Sequence, residues 1–454
     1  MAKRRRYPLL RVFVNGRVIG RLRKETTGAI DFTYDPEWLA WESAFPVSLS
    51  LPLREDKYIG APVAAVFDNL LPDNDQIRRR IAEKVGAKGD DPYSLLATIG
   101  GDCVGALQFL PEGVDPTPLG IIDGEAVSDE EIGRIINDLG AAPLGIEEDD
   151  DFRISIAGAQ EKTALLWHGG HWIKPRGTTP TTHIFKPQIG QLPNGIDLSN
   201  SVENEFFCLR LAANIGLDAA DVEMATFGER RVLIVRRFDR ELTRDGRLLR
   251  QPQEDFCQAL SIPWARKYER EGGPGILTGM DLLAASDEPT LDRLAYFKTM
   301  IFFWLLGATD GHGKNFSIFI YPSGGARLTP LYDVLSAQPS VDAHQITRNK
   351  FKLAMAVGTN RRYGVDDIVP RHFIQSGDAC GLPRSTVVGL FAELLADSPE
   401  AIDVTVADLP PGFPTALSDS IVRGYRDRLA QIADFVAEEL GEADADDSVD
   451  QWRS

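Results

Sequence analysis

The chain has 454 residues, 43% of them hydrophobic, and a formal net charge of −18. That is enough apolar material for about three folding units with buried cores. The acidic balance argues against tight nucleic-acid binding by the chain alone, because neutralising phosphates takes clustered Lys and Arg.

In chain order, Lys3-Arg-Arg-Arg6 has the charge of a secretory leader, but the strand-like stretch after it contains Arg11 and then meets Asn15-Gly16, so no leader is expected. Residues 9–23 read as a hairpin, with alternation in Leu-Arg-Val-Phe-Val, a two-residue turn at Asn15-Gly16 and a return through Val18-Ile-Gly-Arg-Leu. Residues 30–53 read as further strands ending in Val47-Ser-Leu-Ser-Leu-Pro-Leu53. Residues 62–85 read as amphipathic helix broken at Pro72. Segment 111–150 is rich in Pro, Gly and acid, holds one helix candidate at 129–139, and closes with Glu147-Glu-Asp-Asp-Asp151, the mark of a solvated linker. Strands return at 153–156, 162–167, 171–174 and 183–186. A helix at 202–215 ends at Gly216, and two strands follow near 222–227 and 231–238. After Asp239 the pattern is mostly helical to about residue 442. The longest apolar run, 300–306, is too short to span a bilayer, so a cytoplasmic protein without membrane contact is expected. Cys103, Cys208, Cys257 and Cys380 lie far apart without zinc-ligand spacing and read as buried small hydrophobes.

This order predicts an α+β class and a bilobal, protein-kinase-like fold: a β-rich amino-terminal subdomain and a mostly helical large lobe. The expected boundaries are an amino-terminal subdomain at 1–148, a small lobe at 149–238, a helical large lobe at 239–441 and a disordered acidic tail at 442–454.

The chemistry concentrates in Asp310-Gly-His-Gly-Lys-Asn315 and in Asp333. Phosphoryl transfer leaves a protein mostly positioning and charge stabilisation to perform. A loop Asp takes the proton of the attacking hydroxyl, a loop Asn holds one magnesium ion, and a later Asp holds the metal that bridges the phosphates. Asp310 is thus the expected general base, Lys314 a phosphate-side cation, and Asn315 and Asp333 the Mg²⁺ ligands, a small oxygen set suited to an ion completed by ATP and water. His312 reads as loop packing. The remaining parts occur upstream in the required order. Ala157, Gly158 and Ala159 in Ile154-Ser-Ile-Ala-Gly-Ala-Gln-Glu-Lys-Thr163 are small enough for backbone N–H groups to approach phosphate. Lys186 ends a strand where a phosphate-pairing lysine belongs. Glu205 shares a helix face with Leu209, Ala212 and Ala213 and is the expected partner of Lys186, while Glu203 lies on a more polar face. Arg236-Arg237-Phe238 would be the adenine hinge, with Phe238 equally readable as core.

Together these segments resemble the HipA family of bacterial kinase toxins. The carriers are Ser155-Ile-Ala-Gly-Ala-Gln-Glu-Lys-Thr-Ala-Leu, His183-Ile-Phe-Lys186, Val202-Glu-Asn-Glu205, Arg237-Phe-Asp-Arg240, Gln253-Glu-Asp-Phe-Cys-Gln258, Gly307-Ala-Thr-Asp-Gly-His-Gly-Lys-Asn-Phe-Ser317 and Leu328-Thr-Pro-Leu-Tyr-Asp333. Val14-Asn-Gly16 and Val47-Ser-Leu-Ser-Leu-Pro52 extend it to the amino terminus. The resemblance implies an ATP- and Mg²⁺-dependent serine/threonine protein kinase and toxin. Its ATP-binding set would be Ala157, Gly158, Ala159, Gln160, Glu161, Lys162, Lys186, Arg236, Arg237, Phe238, His312, Gly313, Lys314, Asn315, Tyr332 and Asp333. It further implies inactivating autophosphorylation at Ser155 and an aminoacyl-tRNA synthetase as target. The implied partner is a HipB-like helix-turn-helix antitoxin, with operator DNA bound only within the joint complex. Arg236 departs from relatives that carry an acid there. Two other readings stay open: a catalytically weak DNA-bound corepressor, using the basic stretch Arg348, Lys350, Lys352, Arg361 and Arg362, or a kinase of a small molecule.

Overall fold

In a computed structural model the chain is described over residues 7–147 and 151–450. It divides into two compact units, each assembled from several stretches of chain. The first comprises Met1–Ile189, Ala220–Lys267 and Gly313–Pro330, and the second Gly190–Ala219, Tyr268–His312 and Leu331–Ser454. Neither residue 148 nor residue 238 is a cut between these units, and residues 148–150, in the expected acidic linker, lie outside those described.

The first unit begins with the expected hairpin, Leu10–Val14 against Arg17–Lys24. Asn15 and Gly16 take φ of 46° and 83°, the left-handed pair that a tight hairpin turn needs to match strand twist. Ile30–Tyr34, Tyr58–Ile59 and Gln108–Pro111 complete an antiparallel five-stranded sheet. Leu10, Val12, Leu22 and Phe32 are buried there with Phe67 and Leu95 from helices Ala61–Asp68 and Pro92–Ile99. The first helix ends at Asp68, four residues before the expected break at Pro72, and Asn74 caps the following helix Asp75–Lys84 through the N–H groups of Gln76 and Ile77.

The expected strand at 47–53 does not form. Val47 N–H donates to the Tyr34 hydroxyl, Leu49 N–H to Glu254, and Leu51 N–H to Ser48 O, so side chains and a turn satisfy this backbone in place of a ladder. Nor is 153–156 a strand; only an isolated bridge joins Ile154 to Asp102.

A second, six-stranded antiparallel sheet runs Val222–Phe227, Arg230–Arg236, His183–Pro187, Thr163–His168, His171–Pro175, Gly124–Ala126. Leu165, Phe185, Val232 and Ile234 pack beneath helix Asp129–Asn137 through Ile132 and Ile136. The segment after Asp239 is less helical than expected. Arg240–Leu242 pairs with Leu248–Arg250, and Gln253–Asp255 joins the hairpin Ser317–Ile320/Ala326–Leu328.

The second unit is mainly helical: Ser201–Asn214, Ile276–Leu283, Pro289–Leu306, Pro370–Ala379, Arg384–Ala407 and Thr415–Asp450. Lys352–Val357 and Arg362–Gly364 add a small hairpin. Pro289–Leu306 is its apolar axis, with Phe297, Ile301, Trp304 and Leu305 fully buried. It ends at Gly307 with φ 67°, where a Cβ would sit 2.6 Å from the Phe351 ring. The last helix continues to Asp450, beyond the expected start of the tail at 442, and residues 451–454 lie outside those described.

Candidate active site

In the first unit, the loop 154–163 is held closed by its own side chains. Ser155 is fully buried; its Oγ donates to Leu70 O at 2.8 Å and its N–H to Asp102 O at 2.9 Å. Gly158 has φ 108°, and a Cβ there would meet Lys162 Nζ at 2.4 Å. That lysine is buried and donates to Ala157 O at 2.7 Å. Asp73 N–H donates to Gly158 O at 3.0 Å, Gln160 Nε2 to Pro187 O at 2.8 Å, and Arg80 pairs with Glu161. The small residues Ala157, Gly158 and Ala159 thus form a tight glycine-dependent turn, the backbone type that can approach an anion closely.

Lys186 lies on the central strand His183–Pro187 and is buried. On the same strand, burial and then the Arg236 charge bring His183 down to about 4. At the hinge, Arg236 N–H donates to Asp221 O and Arg237 N–H to Thr182 O, both at 2.9 Å, so these two amides serve the protein itself. Phe238 is half-buried and meets Phe319 edge-on, with ring centroids 5.9 Å apart.

The Arg237 side chain turns inward to a cluster that the sequence did not reveal. Arg237, Arg240 and Arg250 surround Asp102 and Asp239, all buried. Burial alone would raise the Asp102 carboxyl, but Arg240, Arg250 and Arg237 outweigh it and hold it well below the usual carboxylate range. Burial and the neighbouring Arg237 charge bring Arg240 down to about 10. The one visible trace was Arg237-Phe-Asp-Arg240, whose charges belong to a strand end otherwise destined for burial.

Gly313–Asn315 is a buried turn in this unit. Lys314, expected beside phosphates, is instead bonded to protein: its Nζ donates to Asp255 Oδ2 at 2.6 Å, Asn69 O at 2.9 Å and Asn69 Oδ1 at 3.0 Å. Burial alone would lower this lysine, but Asp255 and Asp73 hold it above its ordinary value, so it stays charged.

In the second unit, Gly307-Ala-Thr-Asp310 follows directly from the buried helix. The Asp310 side chain is 61% exposed. Tyr268 donates to its Oδ1 at 2.5 Å, and His312 Nε2 lies 4.0 Å from its Oδ2. Tyr268 and His312 also meet edge-on at 4.9 Å, which agrees with loop packing for His312. Gly311 admits no side chain, because a Cβ would lie 2.3 Å from the Phe303 ring. A carboxylate held at one oxygen by a phenol and open to solvent is suited to accept the proton of an incoming hydroxyl. Tyr268 was missed in the sequence because it lies 42 residues before Asp310.

Asp333 takes φ 59°, a left-handed conformation uncommon for a residue with a side chain and typical of functional positions. The neighbouring backbone fixes it: Leu331 N–H donates to Asp218 O at 2.8 Å and Leu331 bridges Ala219. Tyr332 is half-buried. Asn204 brackets the segment that follows, donating to Ser336 O and accepting from Ser336 N–H, both at 2.8 Å. On this same helix Glu203 and Glu205 are both buried, so burial does not single out Glu205. The cut between units falls between His312 and Gly313, which assigns Asp310, Asp333 and Glu205 to the second unit and Lys186 and Asn315 to the first. Asn315 carries an amide oxygen and Asp333 a carboxylate, each by itself a hard oxygen donor. The four cysteines are free and buried, and burial pushes the Cys380 thiol up to about 11.

Two family models match the chain: the HipA N-terminal domain over residues 10–110 and the HipA-like C-terminal domain over residues 154–402. A putative kinase of Sinorhizobium fredii, Y4mE, is 38% identical over 354 residues, covering 77% of this chain and 81% of the relative. The serine/threonine-protein kinase toxin HipA of Shewanella oneidensis is 31% identical over 412 residues, covering 87% and 88%. Among solved structures, a chain in the Shewanella oneidensis MR-1 complex of HipA, HipB and operator DNA superposes with a TM-score of 0.78 at 28% identity, covering 94% of this chain and 98% of that one. The chain belongs to the HipA family of serine/threonine kinases, with the mixed helix-and-sheet, kinase-like fold of that family.

Proposed function

We propose that this chain is the toxin of a toxin–antitoxin pair and transfers the γ-phosphoryl group of ATP to a serine or threonine of a protein that growth requires, an aminoacyl-tRNA synthetase by family resemblance. The observation that carries the reading is Asp310: an exposed carboxylate on a glycine loop, fixed by Tyr268, with Asn315 next along the loop and Asp333 held left-handed. Asp310 takes the hydroxyl proton as the new O–P bond forms and the bond to the ADP oxygen breaks. Lys186 pairs with the ATP phosphates and with Glu205, and the backbone of 157–159 covers the phosphates, flanked by Gln160, Glu161 and Lys162. Phe238, with the Arg236 and Arg237 carbonyls, borders the adenine, and Tyr332 lies beside it. Asn315 and Asp333 would hold Mg²⁺, which supplies charge neutralisation on the phosphates. The working domains are an amino-terminal domain to residue 148, a small lobe to 238 and a large lobe to 441. The protein acts in the cytoplasm, and autophosphorylation of Ser155 inactivates it.

A second role, corepression with a HipB-like antitoxin, draws on the relative solved with HipB and operator DNA. The exposed Arg348, Lys350, Lys352 and Arg361 and half-buried Arg362 would meet DNA once the antitoxin provides the main grip. The test is incubation of purified protein with labelled ATP and a bacterial lysate. A labelled protein band is expected, with Asp310→Asn lowering its rate by about a thousandfold. A labelled small molecule would replace the protein-kinase reading, and absence of label would leave the DNA-bound corepressor.

A further inference from the structure

One five-residue segment of the first unit touches both loops that phosphotransfer uses. Asn69-Leu-Leu-Pro-Asp73 connects helix Ala61–Asp68 to helix Asp75–Lys84 and is buried throughout. On one side it holds the phosphate loop. Leu70 O accepts from Ser155 Oγ at 2.8 Å, Pro72 bridges Gly158, and Asp73 N–H donates to Gly158 O at 3.0 Å. On the other side it holds the turn that carries Asn315. Lys314 Nζ donates to both oxygens of Asn69, at 2.9 and 3.0 Å, and lies 3.7 Å from Asp73 Oδ1. Asp73 Oδ2 also pairs with Lys267 Nζ at 3.3 Å, and Lys267 O accepts the Gly313 N–H at 3.2 Å. Asp255 closes the cluster at 2.6 Å from Lys314 while capping helix Phe256–Ala259. An ammonium has three donors, and here three protein acceptors lie within 3.0 Å of it.

We infer that Asn69–Asp73 is a strut that sets the phosphate loop and the Asn315 turn in one shared register, and that Lys314 is a positioning residue acting through Asn315 rather than a ligand of the phosphates. This rests on the kinase reading. It gives the amino-terminal domain a part in catalysis, since residues 69–73 fall in the match at 10–110 and Ser155 and Lys314 in the match at 154–402. It also widens the effect of a Ser155 phosphate: losing the bond to Leu70 loosens the strut and with it the Asn315 turn.

The test compares full-length wild type with Lys314→Met, Asn69→Ala and the milder Asp73→Asn, by steady-state kinetics and by hydrogen exchange. Each variant lowers kcat about tenfold or more while KM for ATP stays within about twofold, and Lys314→Met combined with Asn69→Ala costs little more than the worse single change. In Lys314→Met the amides of 154–162 exchange about tenfold faster, although that residue lies in another segment. If Lys314→Met does not fold, Asp73→Asn carries the same comparison. A raised KM with unchanged kcat would make Lys314 an ATP ligand and overturn the inference. So would faster exchange confined to 313–316. A wild type that neither binds ATP nor transfers phosphate would sink the kinase reading instead, and the exchange comparison would still decide the strut.

Discussion

Asp102→Asn should destabilise the first unit by about 3–5 kcal/mol, the usual cost of leaving buried charge without its partner. Asp102 Oδ1 accepts from Arg240 at 2.8 Å and Arg250 at 3.0 Å. Its Oδ2 accepts from Thr181 N–H at 3.0 Å and Thr181 Oγ1 at 2.7 Å, with Arg237 at 3.4 Å. All five contacts donate to the carboxylate, so an asparagine points its NH₂ at two of these donors in one orientation and at three in the other. The cluster already holds three guanidinium groups against the two carboxylates of Asp102 and Asp239, and the substitution leaves three against one. Because the folded pKa is depressed, the contribution is present above about pH 4 and is lost only as pH falls through the folded value below that. The assay is native-state hydrogen exchange of His183–Pro187 and Arg230–Arg236, whose protection should fall about a hundredfold or more at neutral pH. A fall of less than about fivefold would refute the argument that Asp102 is the counter-charge on which this core depends.

Glu254 is buried with its Oε1 accepting from Leu49 N–H at 2.7 Å, and burial pushes it up to about 8. A carboxyl with a raised folded pKa favours folding below its unfolded value and loses that advantage as pH climbs, here between about pH 4.5 and pH 8. Glu254→Gln should therefore melt like wild type near pH 5 and above it near pH 9; parallel melting curves across that range would contradict this. Ser155→Asp would set a carboxylate against the Leu70 carbonyl that the hydroxyl now donates to at 2.8 Å. The loop should leave its seat, and calorimetry should find ATP affinity lowered about tenfold or more. Unchanged affinity would separate this serine from the nucleotide site.

Local signals were legible wherever a residue type and its backbone demand coincide. Asn15-Gly16 announced its hairpin because few other pairs accept left-handed φ at both positions. Gly216, with φ 79°, marked where helix Ser201–Asn214 stops, and the apolar run 300–306 lies buried. Val47–Leu53 misled because alternation suggests a strand whether or not a partner strand is present; here Tyr34, Ser48 and Glu254 take up its backbone.

By itself the sequence pointed to the family, through motif segments spread from Val14 to Asp333, and named Asp310, Asn315 and Asp333 as candidate reacting groups at short spacings along one stretch of chain. Tertiary structure alone decided which charged side chains serve packing. In the sequence Lys314 reads as a phosphate-side cation, and only the structure puts Asn69 and Asp255 around it; nothing in the sequence singles out Asp102, over which three arginines close. The partners in those clusters are separated by up to 245 residues, and a burial that makes a charge affordable only in company leaves no periodic trace in the chain.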